Sequence, residues 1–160
     1  MAKDMSVPCD DGIINIRVGA IIMKNGKILM VGNKMHPEYL YSVGGRIKFG
    51  ETAEEAVVRE VFEETGVHME VERLGFVHEN YFIGDSPAKL GKLIYEISYF
   101  FYMKVPEEFE PVSNNFTEDG NEESLQWIEP GIDITIYPEF FKTELLQSEN
   151  GVKHFVTDNR

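Results

Sequence analysis

Among 160 residues the chain has one cysteine, Cys9, so no disulfide can form within it. A lone thiol fits a reducing compartment. No apolar run approaches the ~20 residues that span a bilayer. The opening, MAKDMSVPCDDG, lacks the apolar core of a secretion signal. The histidines, among them His36, His68 and His154, are scattered without zinc-ligand spacing. Positive charge is scarce, with 15 Lys and Arg against 28 Asp and Glu, giving a net charge of −13. Such a surface repels nucleic-acid backbones and anionic lipid, so neither is expected as a partner. A phosphate-bearing ligand would need locally placed cations or a divalent ion as mediator. No repeat, low-complexity tract or linker divides the chain, which predicts one soluble, cytoplasmic domain over residues 1–160.

What is present is a run of β-rich segments around one helical segment. Ile14–Met23 and Lys27–Val31 flank Asn25-Gly26, a strong hairpin dipeptide. Tyr39–Val43 reads as a short extended piece entering Gly44-Gly45, and His68–Phe82 as a further strand. Lys92–Val105, dense in aromatic and β-branched residues, is the longest strand candidate. The acidic stretch Glu107–Glu123 reads as a loop, Ser124–Ile128 as a strand stopped by Pro130, and Tyr137–Gln147 as a second helix entered through Pro138. This order predicts a mixed sheet with helices on its faces.

The helical segment carries both of its end signals. Thr52 and Glu55 form a capping box that predicts a start at Ala53, and Gly66 suits a left-handed stop with Val67 touching Phe62. Ala53, Val57, Val58, Val61 and Phe62 form an apolar stripe for the sheet, and Glu55–Arg59 is a favourable pair four apart. Against this order stand Glu60, Glu63 and Glu64. Each like-charged neighbour pair costs roughly 0.2–0.5 kcal/mol. The helix dipole adds about 0.3–1 kcal/mol for each anion in the last turn. A solvated face tolerates that cost. Alternatively, convergent carboxylates are hard oxygen ligands for Mg²⁺ or Mn²⁺, and Gly44, Gly45 and Gly50 before them let backbone approach a ligand closely.

These residues resemble the box of the Nudix hydrolases: Gly, five residues, Glu, seven residues, then Arg-Glu-apolar-x-Glu-Glu-x-Gly-apolar. Gly45, Glu51 and the run Arg59–Val67 meet every fixed position. The usual Leu-Pro entry is Ser-Val here, since Val43 stands in place of proline. The resemblance implies an α/β fold, an α/β/α sandwich with a mixed β-sheet and the box helix packed on it. It also implies Mg²⁺- or Mn²⁺-dependent hydrolysis of a nucleoside diphosphate linked to a group X, and a family in which homodimers are common. Carried over residue by residue, Glu60, Glu63 and Glu64 would hold metal with the Gly45 carbonyl. Glu60 is also a candidate base, and Arg59 and Glu51 would tie loop to helix.

Outside the box, Glu122 and Glu123 sit where many relatives supply another carboxylate to metal or base; membership of a solvated acidic loop is the other reading. Arg17 interrupts an apolar strand, and Arg46, Lys48 and Lys34 lie near the glycine loop, so each is a candidate phosphate contact or a solvated cation. Glu79 is a candidate ligand, substrate contact, dimer contact or strand-end cap, and Trp127 is read as packing rather than as a base platform. The leading expectation is a pyrophosphohydrolase of a small nucleotide. The alternatives are a non-catalytic nucleotide sensor on the same fold and an enzyme of RNA ends, the latter disfavoured by charge.

Overall fold

The computed structural model describes residues 2–110, 114–116, 122–145 and 151–160, with backbone alone at 114–116 and 122. Its strands are β1 (Ser6–Cys9), β2 (Gly12–Ile21), β3 (Met23–Lys24), β4 (Lys27–Asn33), β5 (His36–Arg46), β6 (Val71–Ile83), β7 (Leu93–Met103), β8 (Asn114–Phe116), β9 (Glu122–Ile128), β10 (Thr135–Tyr137) and β11 (Lys153–Asp158). Two helices, α1 (Ala53–Thr65) and α2 (Phe141–Glu144), complete it. The strand order is β11-β6-β7-β2-β5-β4-β9-β8, with β1 beside β2, β10 beside β5 and β3 beside β4. Pairs β11·β6, β2·β7 and β10·β5 are parallel and the others antiparallel, so the sheet is mixed. Among the described residues no helix is long and apolar enough to cross a membrane.

Strand β5 is the joint. Its residues Val43–Arg46 pair with β2, while its earlier residues pair with β4 and, at Tyr39–Tyr41, with β10. Side chains alternate across this sheet and build a core on each face. One face packs Val18, Ala20, Leu29, Val31, Val43 and Phe101 against Val57 and Val61 of α1. The other packs Ile21, Ile28, Met30, Phe76 and Phe100 against Ile136 and Phe141. Ile28 to Val31 of β4 are all fully buried, the mark of a strand covered on both faces.

The expected hairpin forms in miniature. Asn25 and Gly26 take left-handed φ of 53° and 76°, but only Met23–Lys24 pairs with Lys27–Ile28 before β5 comes between β2 and β4. Four strands were not anticipated. β1 is mostly exposed, β11 alternates half-buried with exposed residues, and β8 and β10 span three residues each, so each owes its conformation to pairing rather than to its own sequence. The stretch expected as an acidic loop contains β8 and the start of β9. The second helix is shorter than the pattern suggested. Its described part is the single turn Phe141–Glu144, and Leu146 and Gln147 lie outside the described residues.

Candidate active site

Helix α1 places the box. Glu55 N–H donates to Thr52 Oγ1 at 3.2 Å and Thr52 N–H to Glu55 Oε1 at 3.1 Å, so the capping box is complete. At the other end Gly66, with φ 78°, donates its N–H to Phe62 O. The stripe is rotated slightly from expectation: Ala56 is buried, whereas Phe62 is 42% exposed and stacks on His68 at 4.0 Å rather than on Val67. Glu55 is spent on the cap, and Arg59 turns elsewhere.

Arg59 is the hub between helix and loop. Its Nε and Nη2 grip Glu51 at 2.5 and 3.0 Å, and Nη2 also donates to the Arg46 carbonyl at 3.1 Å. Glu51 in turn accepts from Lys48 N–H at 2.9 Å, which pins the loop that carries the glycines. The Arg59 bond holds the Glu51 carboxyl below its usual range. Nη1 reaches Glu60 at 2.8 Å and Glu63 at 3.3 Å. One guanidinium therefore neutralises part of the repulsion that the sequence builds in.

Glu60 lies directly on the loop backbone. A Cβ added at Gly45 would meet the Glu60 carboxyl carbon at 2.5 Å, so only glycine admits this contact. Burial pushes the Glu60 carboxyl up, and Arg59 only partly offsets it. Glu64 is pushed up furthest, first by burial, then by Glu60 and Glu123, against a hydrogen bond from Gly44 N–H and the pull of Arg17. Burial likewise raises Glu123, which Tyr41 holds by a hydrogen bond. Glu63 is half exposed at the rim. Glu60, Glu64 and Glu123 thus share one electrostatic neighbourhood, with Glu123 coming from β9 at the position opposite Asn33.

Would this set accept a divalent cation? The donors are hard oxygens, they are raised by burial and mutual repulsion, and a glycine leaves the backbone beside Glu60 bare. That chemistry fits Mg²⁺ or Mn²⁺. Among the described residues no group of three or more such side chains stands close enough to make a finished cage; the Arg59 guanidinium lies between Glu60 and Glu63 instead.

The other candidates divide. Arg17 and Arg46 face each other in register on β2 and β5, and Arg17 attracts both Glu60 and Glu64. Among the described residues Arg46 Nε is buried with no hydrogen-bond partner, while its Nη1 stands 3.8 Å from Asp4 Oδ2. Lys34 is exposed in the β4–β5 connection. Glu79 is engaged elsewhere, accepting from Tyr95 Oη at 2.8 Å and pairing with His154 Nε2 at 2.6 Å. The side chain of Glu122 lies outside the described residues. Trp127 packs against Phe109 and the helix-side core.

Sequence reasoning passed over Tyr41 and Asn33. Tyr41 accepts from Asn33 and donates to Glu123, and burial, then Glu123, pushes its phenol far up. Alternation on β5 could have flagged Tyr41, which shares the face of Gly45, but nothing local pairs it with β9. Lys89 was missed too. Burial first, then Arg46, pulls its ammonium down; Glu96 opposes and Arg17 adds to the repulsion.

The model of the NUDIX domain matches residues 14–131. An ADP-ribose pyrophosphatase of Methanocaldococcus jannaschii is 44% identical over 61 residues, 37% of this chain and 36% of that one. The match thus spans about a third of that relative's length. Among solved structures, a mutator MutT protein from Bacillus halodurans aligns with a TM-score of 0.63 at 18% identity, covering 91% of this chain and 92% of that one. An ADP-ribose pyrophosphatase from Streptococcus suis aligns with a TM-score of 0.56 at 17% identity, covering 88% and 98%. At these identities the likeness is one of fold.

Proposed function

Because this chain belongs to the NUDIX domain family, we propose that it hydrolyses the pyrophosphate bond of a small nucleotide derivative, with Mg²⁺ or Mn²⁺ bound at the end of α1. The observation that carries this reading is the set Glu60, Glu64 and Glu123, three carboxylates held partly out of water, with Glu60 and Glu123 both acting on Glu64 and Glu60 lying against Gly45. Such an arrangement is costly to a protein with no use for it.

Glu60, Glu63, Glu64 and the Gly45 carbonyl would hold the metal, which supplies charge neutralisation on the phosphates and activation of water. Arg17 and Arg46 bind the substrate phosphates, adding local positive charge on an otherwise acidic surface. Water adds to one phosphorus, the bridging P–O bond breaks, and the leaving phosphate departs with the bond's electron pair. The proton from water goes to a carboxylate. Glu123 is our assignment, because it stands off the helix and Tyr41 orients it, whereas Glu60 is engaged by Arg59. A raised carboxylate is a better base near neutral pH than an ordinary one.

The relative's name puts ADP-ribose first among candidate substrates. The test is turnover of ADP-ribose, nucleotide sugars, dinucleoside polyphosphates and nucleoside triphosphates with Mg²⁺ or Mn²⁺. Cleavage of one class, lost in Glu64→Gln, supports the reading. Tight metal binding with no cleavage in any class would favour a ligand sensor. A cytoplasmic site of action suits the exposed free thiol of Cys9.

A further inference from the structure

One face of the β2–β7–β6 sheet turns polar where its surroundings are apolar. In register, Asn15 of β2 faces Glu96 of β7, Glu96 faces Asn80 of β6, and Asn80 faces Thr157 of β11. Two residues along the same face the row is Arg46, Arg17, Ser98 and His78. Two further on it becomes Phe100 and Phe76, covered by Phe140 and Phe141. His78 is accounted for by Thr157 Oγ1 at 2.8 Å.

The Asn15 row is not accounted for. Asn15 is 0% exposed, and its Nδ2 donates to Glu96 Oε2 at 3.1 Å. Its Oδ1 is buried with no hydrogen-bond partner among the described residues, and the same holds for Asn80 Oδ1. Native structures rarely leave two such groups in one row. Both unmatched atoms are acceptors, and the carboxylate between them is a third. The missing partner is therefore a donor with more than one O–H or N–H. The adjoining row offers the opposite chemistry: among the described residues Arg46 Nε is also buried with no hydrogen-bond partner, although Nη1 stands 3.8 Å from Asp4 Oδ2. The β6–β7 connection adds Lys89, half-buried among exposed neighbours and interacting with Arg46, Glu96 and Arg17.

We propose that Asn15, Glu96 and Asn80 form a recognition site for the vicinal hydroxyls of a phosphorylated sugar, with Arg17, Arg46 and Lys89 holding its phosphate. Residues two apart on a strand are separated by roughly 6.6 Å, a span that suits a sugar hydroxyl pair relative to its own 5′-phosphate. The amino edge of a base would lie a ring further away. A carboxylate is an established partner for a ribose hydroxyl. The inference rests on the hydrolase reading, because Arg17 also lies in the field of Glu60 and Glu64, so the sugar would hang from a reacting phosphate.

The diol has two sources, the ribose of the nucleoside or a sugar in X. Calorimetric binding to the full chain distinguishes them without turnover or metal, using AMP against 2′-dAMP and ribose 5-phosphate against 2-deoxyribose 5-phosphate. We expect the hydroxylated member of one pair to bind at least ~10-fold tighter. That preference should shrink several-fold in Glu96→Gln and in Asn80→Leu. The first variant is isosteric and keeps an acceptor for Asn15, so it remains informative if the second melts early. Preference within the AMP pair, with or without the other, assigns the nucleoside ribose; preference within the ribose 5-phosphate pair alone assigns X. No binding by either pair, equal affinities in both, or a preference untouched by both variants would overturn the site even with hydrolysis established. Failure of every nucleotide to turn over, with the preference intact, would remove the hydrolase and leave the sugar site.

Discussion

At the scale of single residues, Glu64 carries the heaviest electrostatic load, and its titration has a defined sign. Its folded value lies well above its usual 4.5, so the folded chain keeps a proton that the unfolded chain has already lost. That contribution to stability is fully present below about pH 4.5 and disappears as pH rises through the folded value. Removing the titration with Glu64→Gln should therefore make the metal-free protein more stable relative to wild type at pH 8 than at pH 5. Melting both proteins in chelator at the two pH values checks this; a gap that stays constant or narrows would mean that Glu64 is not carrying a buried charge. Catalysis should move the other way if Glu64 holds metal as proposed, with Glu64→Gln losing at least ~100-fold in kcat. Tyr41→Phe should lower kcat by about tenfold with little change in KM, because the phenol orients Glu123 rather than touching substrate. A large rise in KM instead would place Tyr41 in the binding site.

At the scale of elements, the box helix is over-determined and the loop before it is pinned. Thr52→Ala should cost about 1 kcal/mol in denaturant melts by removing the cap. Arg59→Lys should cost more than the cap does, because a lysine cannot reproduce the fork on Glu51 together with the bond to the Arg46 carbonyl. A loss equal to or smaller than that of Thr52→Ala would show that the loop holds without Arg59. This helix was legible in the sequence because its caps, stripe and stop are all local. The strands that were missed are those whose conformation comes from partners: β11 from β6, β10 from β5, β8 from β9, and β1 from β2. The same limit explains the site. Glu60, Glu63, Glu64 and Gly45 stand in one contiguous motif, whereas Tyr41, Asn33 and Lys89 join it through β4, β5, β9 and the β6–β7 connection, a proximity that no spacing encodes.

At the scale of the whole molecule, a chain of net charge −13 gathers three cations, Arg17, Arg46 and Lys89, with Arg17 in the field of Glu60 and Glu64. A neutral ligand has no need of that contrast; a phosphate chain bridged to a divalent ion does. Metal should therefore act on the entire fold as well as on the reaction, and saturation at ~100 times Kd would add about 2.7 kcal/mol to stability. The most direct measurement is a titration with Mn²⁺ followed by electron paramagnetic resonance, comparing wild type with Glu60→Gln, Glu64→Gln and Glu79→Gln. If the proposed site exists, Mg²⁺ should displace Mn²⁺ from it, and Mn²⁺ affinity should fall at least tenfold in the first two variants and stay unchanged in the third. Equal Mn²⁺ affinity in all four proteins would contradict a metal site at the end of α1.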